Sequence, residues 1–140
     1  MTLARPFHAA YPVSDIDLIK SFYVEILGCV LGRSGKTWVD LNFFGHQLVF
    51  HLDKSYIKAK SIRMLDSKEV PVPHFGVILA WDDFDALIEQ VKSANIKFVI
   101  EPHTRFYGKP GEQKTCFFQD PNGLYLEFKT FKKDSMIFET

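Results

Sequence analysis

Alternation of apolar and polar positions predicts strands in several stretches of the chain. The clearest case is 124–131, where Leu126 and Phe128 fall on one side of the strand and Tyr125 and Glu127 on the other. An ionised carboxylate in such a strand is costly to bury without a partner, and a metal ion is one common partner. Further strands are predicted over 7–13, 30–33, 38–43, 46–52, 74–81, 96–100 and 114–119.

Two other stretches have the apolar spacing of an amphipathic helix. The first carries Ile16, Ile19, Tyr23, Ile26 and Leu27, and the second carries Phe84, Leu87, Ile88 and Val91. The order strand, helix, strand, strand, strand therefore occurs twice within one domain, 1–140. The predicted parts are module one at about 5–52, a connector at 53–73, module two at about 74–131 and a tail at 132–140.

Neither repeat is long enough to bury its apolar face alone. We therefore predict an α+β fold in which two βαβββ modules form an open eight-stranded mixed-sheet barrel with the helices outside. The stretch 101–113, rich in Pro and Gly, is predicted to be a loop, and loops on a rigid frame often carry function. Its candidate substrate-binding residues are His103, Arg105 and Glu112, and Tyr107 is a candidate proton donor; a solvated loop is the alternative.

Charge and cysteine content narrow the class of protein. The 140 residues include 17 basic and 17 acidic ones, so the chain lacks the bulk attraction that holds proteins on nucleic acid or anionic membranes. No stretch approaches the roughly 18 apolar residues of a spanning helix, and no secretory signal is evident. We expect a cytoplasmic protein in which Cys29 and Cys116 are reduced core residues.

Three stretches, in this order, resemble the vicinal oxygen chelate superfamily. That superfamily holds glyoxalase I, extradiol ring-cleavage dioxygenases, and fosfomycin and bleomycin resistance proteins. The stretches are FHAAYPVSD with FYVEILG (7–15, 22–28), PHFGVIL with the helix after it (73–79, 83–94) and FFQDPNGLYLEF (117–128). Within the superfamily the chain looks most similar to small predicted extradiol-type dioxygenases, judging by LNFFGHQLVFHL, VPHFGV and KPGEQKTCFFQDPNG.

The resemblance implies one divalent metal bound by His8, His74 and Glu127. Two imidazoles and one carboxylate leave open positions and suit Fe(II), although Mn, Ni or Zn would also bind such a set. Setting the turn residue Gly45 against Gly123 puts Val49 at the place in module one that Glu127 has in module two. Glyoxalase I-like members carry a further ligand there, Val49 cannot bind metal, and the strand 46–52 has no acidic residue, which argues against glyoxalase activity. The Val49 neighbours Gln47 and His51 are alternative candidates for contact with the metal, and His51 is also a candidate acid or base.

These features favour a metal-dependent enzyme that binds vicinal oxygens of a small organic substrate, with an extradiol-type dioxygenase as the first hypothesis. Tyr125, on the same side of its strand as Glu127, is a further candidate for substrate binding. A glyoxalase-like lyase or isomerase is the second hypothesis, and a metal-free, ligand-sequestering protein of the bleomycin-resistance kind is the third. Chains of this type often pair, so we expect a homodimer.

Overall fold

The computed structural model describes residues 5–57, 63–65 and 70–139, with only the backbone described at 63–65. The chain divides into two compact units, Met1–Lys58 and Ala59–Thr140. Each unit contains one four-stranded sheet. Part of the predicted connector 53–73 lies outside the described residues.

The first unit follows the predicted order of one strand, one helix and three further strands. Its sheet has the strand order β1-β4-β3-β2, with β1 parallel to β4 and the other neighbours antiparallel. The elements are β1 (His8–Val13), α1 (Ile16–Lys20), a π-helical continuation of α1 (Ser21–Ile26), β2 (Val30–Ser34), β3 (Trp38–Phe43) and β4 (His46–Leu52).

The second unit repeats this order after a two-stranded antiparallel ribbon. Its larger sheet has the strand order β7-β10-β9-β8, with β7 parallel to β10. The elements are β5 (Arg63–Leu65) and β6 (Val70–Val72) in the ribbon, then β7 (Ile78–Leu79), α2 (Trp81–Ser93), β8 (Phe98–Arg105), β9 (Gln113–Gln119), β10 (Tyr125–Phe131) and a short 3-10 helix (Asp134–Ile137).

Each sheet packs one face against the helix of its own unit. In the first unit the ring of Tyr23, from the π-helical segment, lies 5.0 Å from that of Phe50 and 5.9 Å from that of Phe43. In the second, Lys114 of β9 reaches Asp85 of α2 at 2.8 Å. Side chains alternate along a strand, so the residues next to these ones in each strand lie on the face turned away from the helix.

The predicted loop at 101–113 is wrong in its first part. Strand β8 continues to Arg105, and only residues 106–112 form an irregular connection. Pro102 suggested a loop because proline cannot donate to a strand ladder. It is tolerated here because β8 is the edge strand of its sheet, and the register with β9 shifts between Ile100 and His103.

The predicted strand at 74–81 is shorter in the structure. Only Ile78–Leu79 pairs as a strand, Phe75 forms an isolated bridge with Leu126, and α2 already begins at Trp81. The helix start removes residues 80–81, and residues 74–77 meet β10 through a bridge and single hydrogen bonds instead of a regular ladder. The segment still runs parallel to β10, as a first strand of the module should.

The main sequence-based expectation for the fold is confirmed: it is α+β, with two βαβββ modules. Cys29 and Cys116 are free and buried, as expected. Among the described residues, no helix has both the length and the apolar character needed to cross a membrane.

Candidate metal centre

His74 lies in a short segment that runs beside the last strand of the second sheet. The Phe75 amide donates to the Tyr125 carbonyl at 3.1 Å, and the Glu127 amide donates to the Phe75 carbonyl at 2.8 Å. Gly76 permits this approach, because a Cβ at that position would overlap the carbonyl oxygen of Glu127. Main-chain pairing thus holds His74 next to Glu127.

The side chains of His74 and Glu127 face each other. Nε2 of His74 lies 3.1 Å from Oε2 of Glu127, and the Phe117 ring meets the His74 ring edge-on with 5.1 Å between centroids. Nitrogen and oxygen ligands lie about 2.0–2.2 Å from zinc, so two ligands at an angle of about 90–110° are about 2.9–3.5 Å apart. The observed spacing lies within that range.

The second ring nitrogen of His74 determines which nitrogen is available as a ligand. Nδ1 lies 2.6 Å from the carbonyl oxygen of Pro71. A carbonyl oxygen only accepts, so Nδ1 carries the proton in this contact. In the neutral ring Nε2 then bears the lone pair, and it faces Glu127. Metal-ligating histidines are oriented in this way by a hydrogen bond from the other nitrogen.

The carboxylate of Glu127 uses its two oxygens differently. Oε1 accepts a hydrogen bond from the Thr115 hydroxyl at 2.7 Å and pairs with Nζ of Lys129 at 3.1 Å. Oε2 faces His74. Glu127 is 9% exposed, so its charge depends on these partners. One oxygen is therefore held by protein groups, and the other is turned toward the histidine.

In the first unit, His8 stands at the start of β1 and contacts Gln47. Nδ1 of His8 lies 2.9 Å from Oε1 of Gln47, its register partner on β4. Nε2 of Gln47 donates to Oδ2 of the buried Asp40 in a long hydrogen bond of 3.4 Å, and Arg33 pairs with the same oxygen at 3.4 Å. Because the Gln47 amide nitrogen faces Asp40, its oxygen accepts from His8. Nε2 of His8 therefore keeps its lone pair.

A cavity of about 530 Å³ opens beside His8 within the first unit. This volume suits a small organic molecule. Its polar lining residues include His8, Arg33, Asp40, Asn42, His46 and Gln47. A group of hydrogen-bonding side chains around a cavity of this size is typical of a binding site.

Of the two alternatives on β4, Gln47 is the residue that contacts His8. His51 lies four residues further along the strand, which is about 13 Å at roughly 3.3 Å per residue. Val49 is buried, opposite Asp40 on β3. Sequence reasoning looked for an acidic residue on β4 and missed Asp40, which lies on β3. The register of β3 against β4 brings Asp40 opposite Val49 and within reach of Gln47. No sequence motif marks that register.

Residues 5–128 match the Glyoxalase/Bleomycin resistance protein/Dioxygenase superfamily. This chain belongs to that superfamily. It is 35% identical to a glyoxalase/bleomycin resistance protein/dioxygenase from Alicyclobacillus acidocaldarius, whose crystal structure gives a TM-score of 0.78 with 95% of this chain and 96% of that chain covered. No curated protein sequence matches the chain.

More distant structures share the fold. FosX, a genomically encoded fosfomycin resistance protein from Listeria monocytogenes, is 12% identical, with 97% and 100% of the two chains covered and a TM-score of 0.68. Lactoylglutathione lyase from Agrobacterium tumefaciens is 14% identical, with 96% of each chain covered and a TM-score of 0.61. The superfamily includes many enzymes, and its members commonly use divalent metals.

The predicted metal ligands are divided between the two units, His8 in the first and His74 with Glu127 in the second. No group of three or more His, Cys, Asp or Glu side chains that could hold a metal occurs within the described ranges. The pair in the second unit nevertheless fits a cation by its chemistry. A neutral imidazole nitrogen and a carboxylate oxygen are both acceptors, and a cation between them would satisfy both.

The other candidate residues have different surroundings. His103 and Arg105 lie on β8, opposite Thr115 and Gln113 of β9, so register places them on the face that carries Glu127. His103 is exposed and its Nδ1 contacts the Glu101 carbonyl. Nε of Arg105 is buried and has no hydrogen-bond partner among the described residues.

Three further candidates also have defined positions. Tyr107 is 81% exposed in the 106–112 connection, and Tyr125 is half-buried at the start of β10. Glu112 is buried; Oε2 accepts from the Gly108 amide at 2.8 Å and Oε1 pairs with Lys132 at 3.2 Å. The Gly108 bond, helped by Lys132, lowers the pKa of Glu112. These contacts brace the connection, and substrate binding by Glu112 stays a prediction.

Proposed function

We propose that this chain is a metal-dependent enzyme that binds vicinal oxygens of a small organic substrate, with extradiol-type ring cleavage as the reaction. The observation that carries the proposal is the 3.1 Å contact between Nε2 of His74 and Oε2 of Glu127. His74 is already oriented by Pro71, and Glu127 by Thr115 and Lys129. The pair is therefore held in position before any ligand binds.

Two states would account for this contact. A protonated His74 could form an ion pair with Glu127, or a cation could lie against a neutral His74 and the carboxylate. Both groups carry further hydrogen bonds on their far sides, which is the arrangement that supports metal ligands. Because Nδ1 of His74 already donates its proton to Pro71, a neutral ring turns a lone pair toward a carboxylate oxygen, and a cation between these two acceptors would satisfy both. We therefore favour the cation.

His8 is proposed as the third ligand, through the Nε2 lone pair that Gln47 leaves free. Two imidazoles and one carboxylate match the set that non-haem Fe(II) uses, and Mn, Ni or Zn are the alternatives. A bound divalent ion would supply Lewis acidity and orient the substrate oxygens. The protein contributes the ligand positions, and the face of the second sheet adds Tyr125, His103 and Arg105 as proposed substrate contacts.

Metal uptake tests the proposal directly. The protein is purified anaerobically, stripped, and titrated with Fe(II), Mn, Ni or Zn while bound metal is quantified. We expect one divalent ion per chain, and His74→Ala, Glu127→Gln and His8→Ala should each weaken binding by at least about tenfold. His103→Ala is the matched control, because this exposed imidazole lies outside the proposed ligand set.

Failure of the wild-type protein to bind any of the four ions would contradict the proposal. If the protein does bind Fe(II), oxygen uptake with catechol-type substrates tests whether the reaction is that of a dioxygenase. An active wild type and an inactive His74→Ala variant are expected. Metal binding without oxygen uptake would leave the site and remove the dioxygenase assignment.

A lyase or isomerase of the glyoxalase kind is the second candidate, and Asp40 favours it. The sequence had offered no acidic residue on β4, yet the structure places the Asp40 carboxylate 3.4 Å from Gln47, on the side of the first sheet that carries His8. Such a carboxylate could act as the base that proton transfer in an isomerase requires. Turnover of the hemithioacetal of methylglyoxal and glutathione, lost in Asp40→Asn, would rank this candidate first.

Sequestration of a ligand without metal chemistry remains the third candidate. His8→Ala distinguishes it, because the substitution should abolish metal uptake in an enzyme and leave ligand binding intact in a sequestering protein. We further propose that the protein acts in the cytoplasm as a homodimer on a small molecule, with neither nucleic acid nor membrane as partner. Light scattering on the purified protein tests the dimer.

A further inference from the structure

Lys129 is a cation beside the proposed metal pair and is not itself a metal ligand. It lies two residues after Glu127 on β10, so its side chain shares the face turned away from α2. Its Nζ is 3.1 Å from Oε1 of Glu127, and its side chain is 30% exposed. A cation this far withdrawn from water requires acceptors close by.

The two oxygens of Glu127 have different partners, so metal binding need not displace Lys129. Lys129 contacts Oε1, whereas His74 faces Oε2. A metal bound through Oε2 would therefore leave the Lys129 contact intact. The ammonium would remain beside the metal and would add a second positive centre to the site.

The hydrogen-bonding capacity of Lys129 exceeds its described contacts. An ammonium has three N–H donors, and the described residues give it one partner, Glu127. Its neighbours in the same row of the sheet are Thr115 on β9 and His103 on β8, and neither is acidic. Thr115 already donates its hydroxyl proton to Glu127. At least one N–H of Lys129 is thus available to an acceptor on the face turned away from α2.

Charge balance indicates what that acceptor should be. One carboxylate can neutralise a divalent cation only in part, and it cannot neutralise an ammonium as well. Closure of such a site over a neutral molecule would leave an uncompensated charge, whereas an anionic group would compensate it and accept a charge-assisted hydrogen bond. Arg105, on the same face with its Nε unpartnered among the described residues, raises the positive charge further.

We propose that Lys129 selects substrates that carry a carboxylate or similar oxyanion in addition to their metal-binding oxygens. This proposal rests on the metal-dependent function argued above and narrows its substrate class. Lys129 would contact the anionic group directly, and Glu127 would hold the ammonium at the edge of the metal site.

Two probes that differ by one carboxylate test the proposal. Catechol and 3,4-dihydroxybenzoate both present vicinal hydroxyls, and only the second is anionic beyond them. Their binding to Ni-loaded protein is measured by calorimetry, with the Ni affinity of each variant measured separately. We expect wild type to prefer 3,4-dihydroxybenzoate, and Lys129→Met to lose about tenfold or more of that preference. Lys129→Arg should retain it.

The matched control is Lys133→Met, which removes the same charge from an exposed position. It should change neither the preference nor the Ni affinity. Lys129→Met should still bind Ni, because Thr115 continues to hold Oε1 of Glu127 and loss of the ammonium removes a positive charge that repels the metal. A circular dichroism spectrum of each variant confirms its fold.

The outcomes separate the two proposals. A wild-type protein that binds no metal would overturn the metal-dependent function and this inference with it. Metal binding combined with equal affinity for the two probes, or with a preference that survives in Lys129→Met, would overturn only the role of Lys129. Loss of preference in Lys133→Met to the same extent would show a general charge effect and would also overturn it.

Discussion

The two histidines proposed as metal ligands are positioned by different means. His8 is exposed, and its ring is oriented by a hydrogen bond to the side chain of Gln47, which in turn bonds to Asp40. His74 is half-buried, and the main-chain carbonyl of Pro71 orients its ring. The two modules have the same order of elements, so this difference arises in the side chains and local backbone and not in the topology.

The difference shows where each half of the site is vulnerable. Point substitutions can remove the side-chain support of His8 without disturbing the sheet. No side-chain substitution removes the carbonyl that supports His74, so the second half is best perturbed through its backbone packing. Support from the backbone costs little entropy to hold, because the same main-chain bonds already order the segment.

The strongest test of the second half is Gly76→Ala. The added Cβ would overlap the Glu127 carbonyl, so the segment that carries His74 must move away from β10. We expect a loss of about 2–3 kcal/mol in the free energy of unfolding, together with loss of metal binding. Urea denaturation and metal titration measure the two effects.

Gly45→Ala in the first unit is the matched control. Gly45 has a φ of +92°, but a Cβ there would have no neighbour within 4 Å. Backbone strain alone should cost about 1 kcal/mol. Equal losses for the two variants would show that the close approach at Gly76 does not matter, and that main-chain pairing does not position His74 as argued.

These two glycines also illustrate what the sequence could reveal. The turn at Gly45 was predicted, because glycine between two alternating stretches marks a hairpin, and β3 and β4 have the predicted bounds. Gly76 looked like an ordinary strand residue. Its role depends on the approach of β10, which lies some 50 residues later in the chain, and no local pattern encodes such an approach.

A second test removes the hydroxyl that supports Glu127. Thr115→Val keeps the shape of a residue that is 1% exposed and deletes the 2.7 Å hydrogen bond to Oε1. We expect a loss of about 1–2 kcal/mol in stability and weaker metal binding, because a buried acceptor loses a donor. Thermal and urea unfolding, followed by metal titration, measure the change.

Thr130→Val is the matched control on the neighbouring strand. Its hydroxyl is buried and has no hydrogen-bond partner within the described part of the chain. The substitution should be neutral or stabilising, since it removes an unsatisfied polar atom. A destabilised Thr130→Val variant would indicate a contact that this reasoning omits, and would weaken the case for Thr115.

A third test addresses the support of His8. Gln47→Leu removes the acceptor for Nδ1, so the ring can rotate and either nitrogen can carry the proton. We expect metal affinity to fall about tenfold with little change in unfolding free energy. Asp40→Asn should have a smaller effect in the same direction. A carboxylate only accepts and so fixes the Gln47 amide nitrogen toward it, whereas the new side-chain amide can also donate and would allow Gln47 to turn its oxygen inward.

Gln90→Leu, at an exposed position of α2, serves as the control for Gln47→Leu. It should leave metal affinity unchanged. Wild-type affinity in Gln47→Leu would mean that His8 needs no such support, and the contrast between the two histidines would lose its functional meaning. The sequence identified Gln47 as a candidate by its parity on β4. It could not identify Asp40, whose position beside Gln47 depends on the register of β3.

The smallest effects are expected from the two cysteines, which report on the two units separately. Cys29 lies in the first unit and Cys116 in the second, and burial raises the pKa of each thiol to about 12. At pH 8 the folded protein should therefore react with a disulfide reagent about a thousandfold more slowly than the urea-unfolded chain. The variants Cys29→Ser and Cys116→Ser separate the two rates.

Addition of Mn(II), which binds thiolates weakly, then shows which unit holds the metal. A metal bound by ligands from both units should slow the labelling of both cysteines, because binding to the folded state suppresses local opening. Slower labelling of Cys116 alone would assign the metal to His74 and Glu127, and would remove His8 from the site. The negative charge of Glu127 contributes to the raised pKa of Cys116, so a cation on Glu127 would by itself speed the labelling of Cys116. Slower labelling would therefore report reduced opening of the unit.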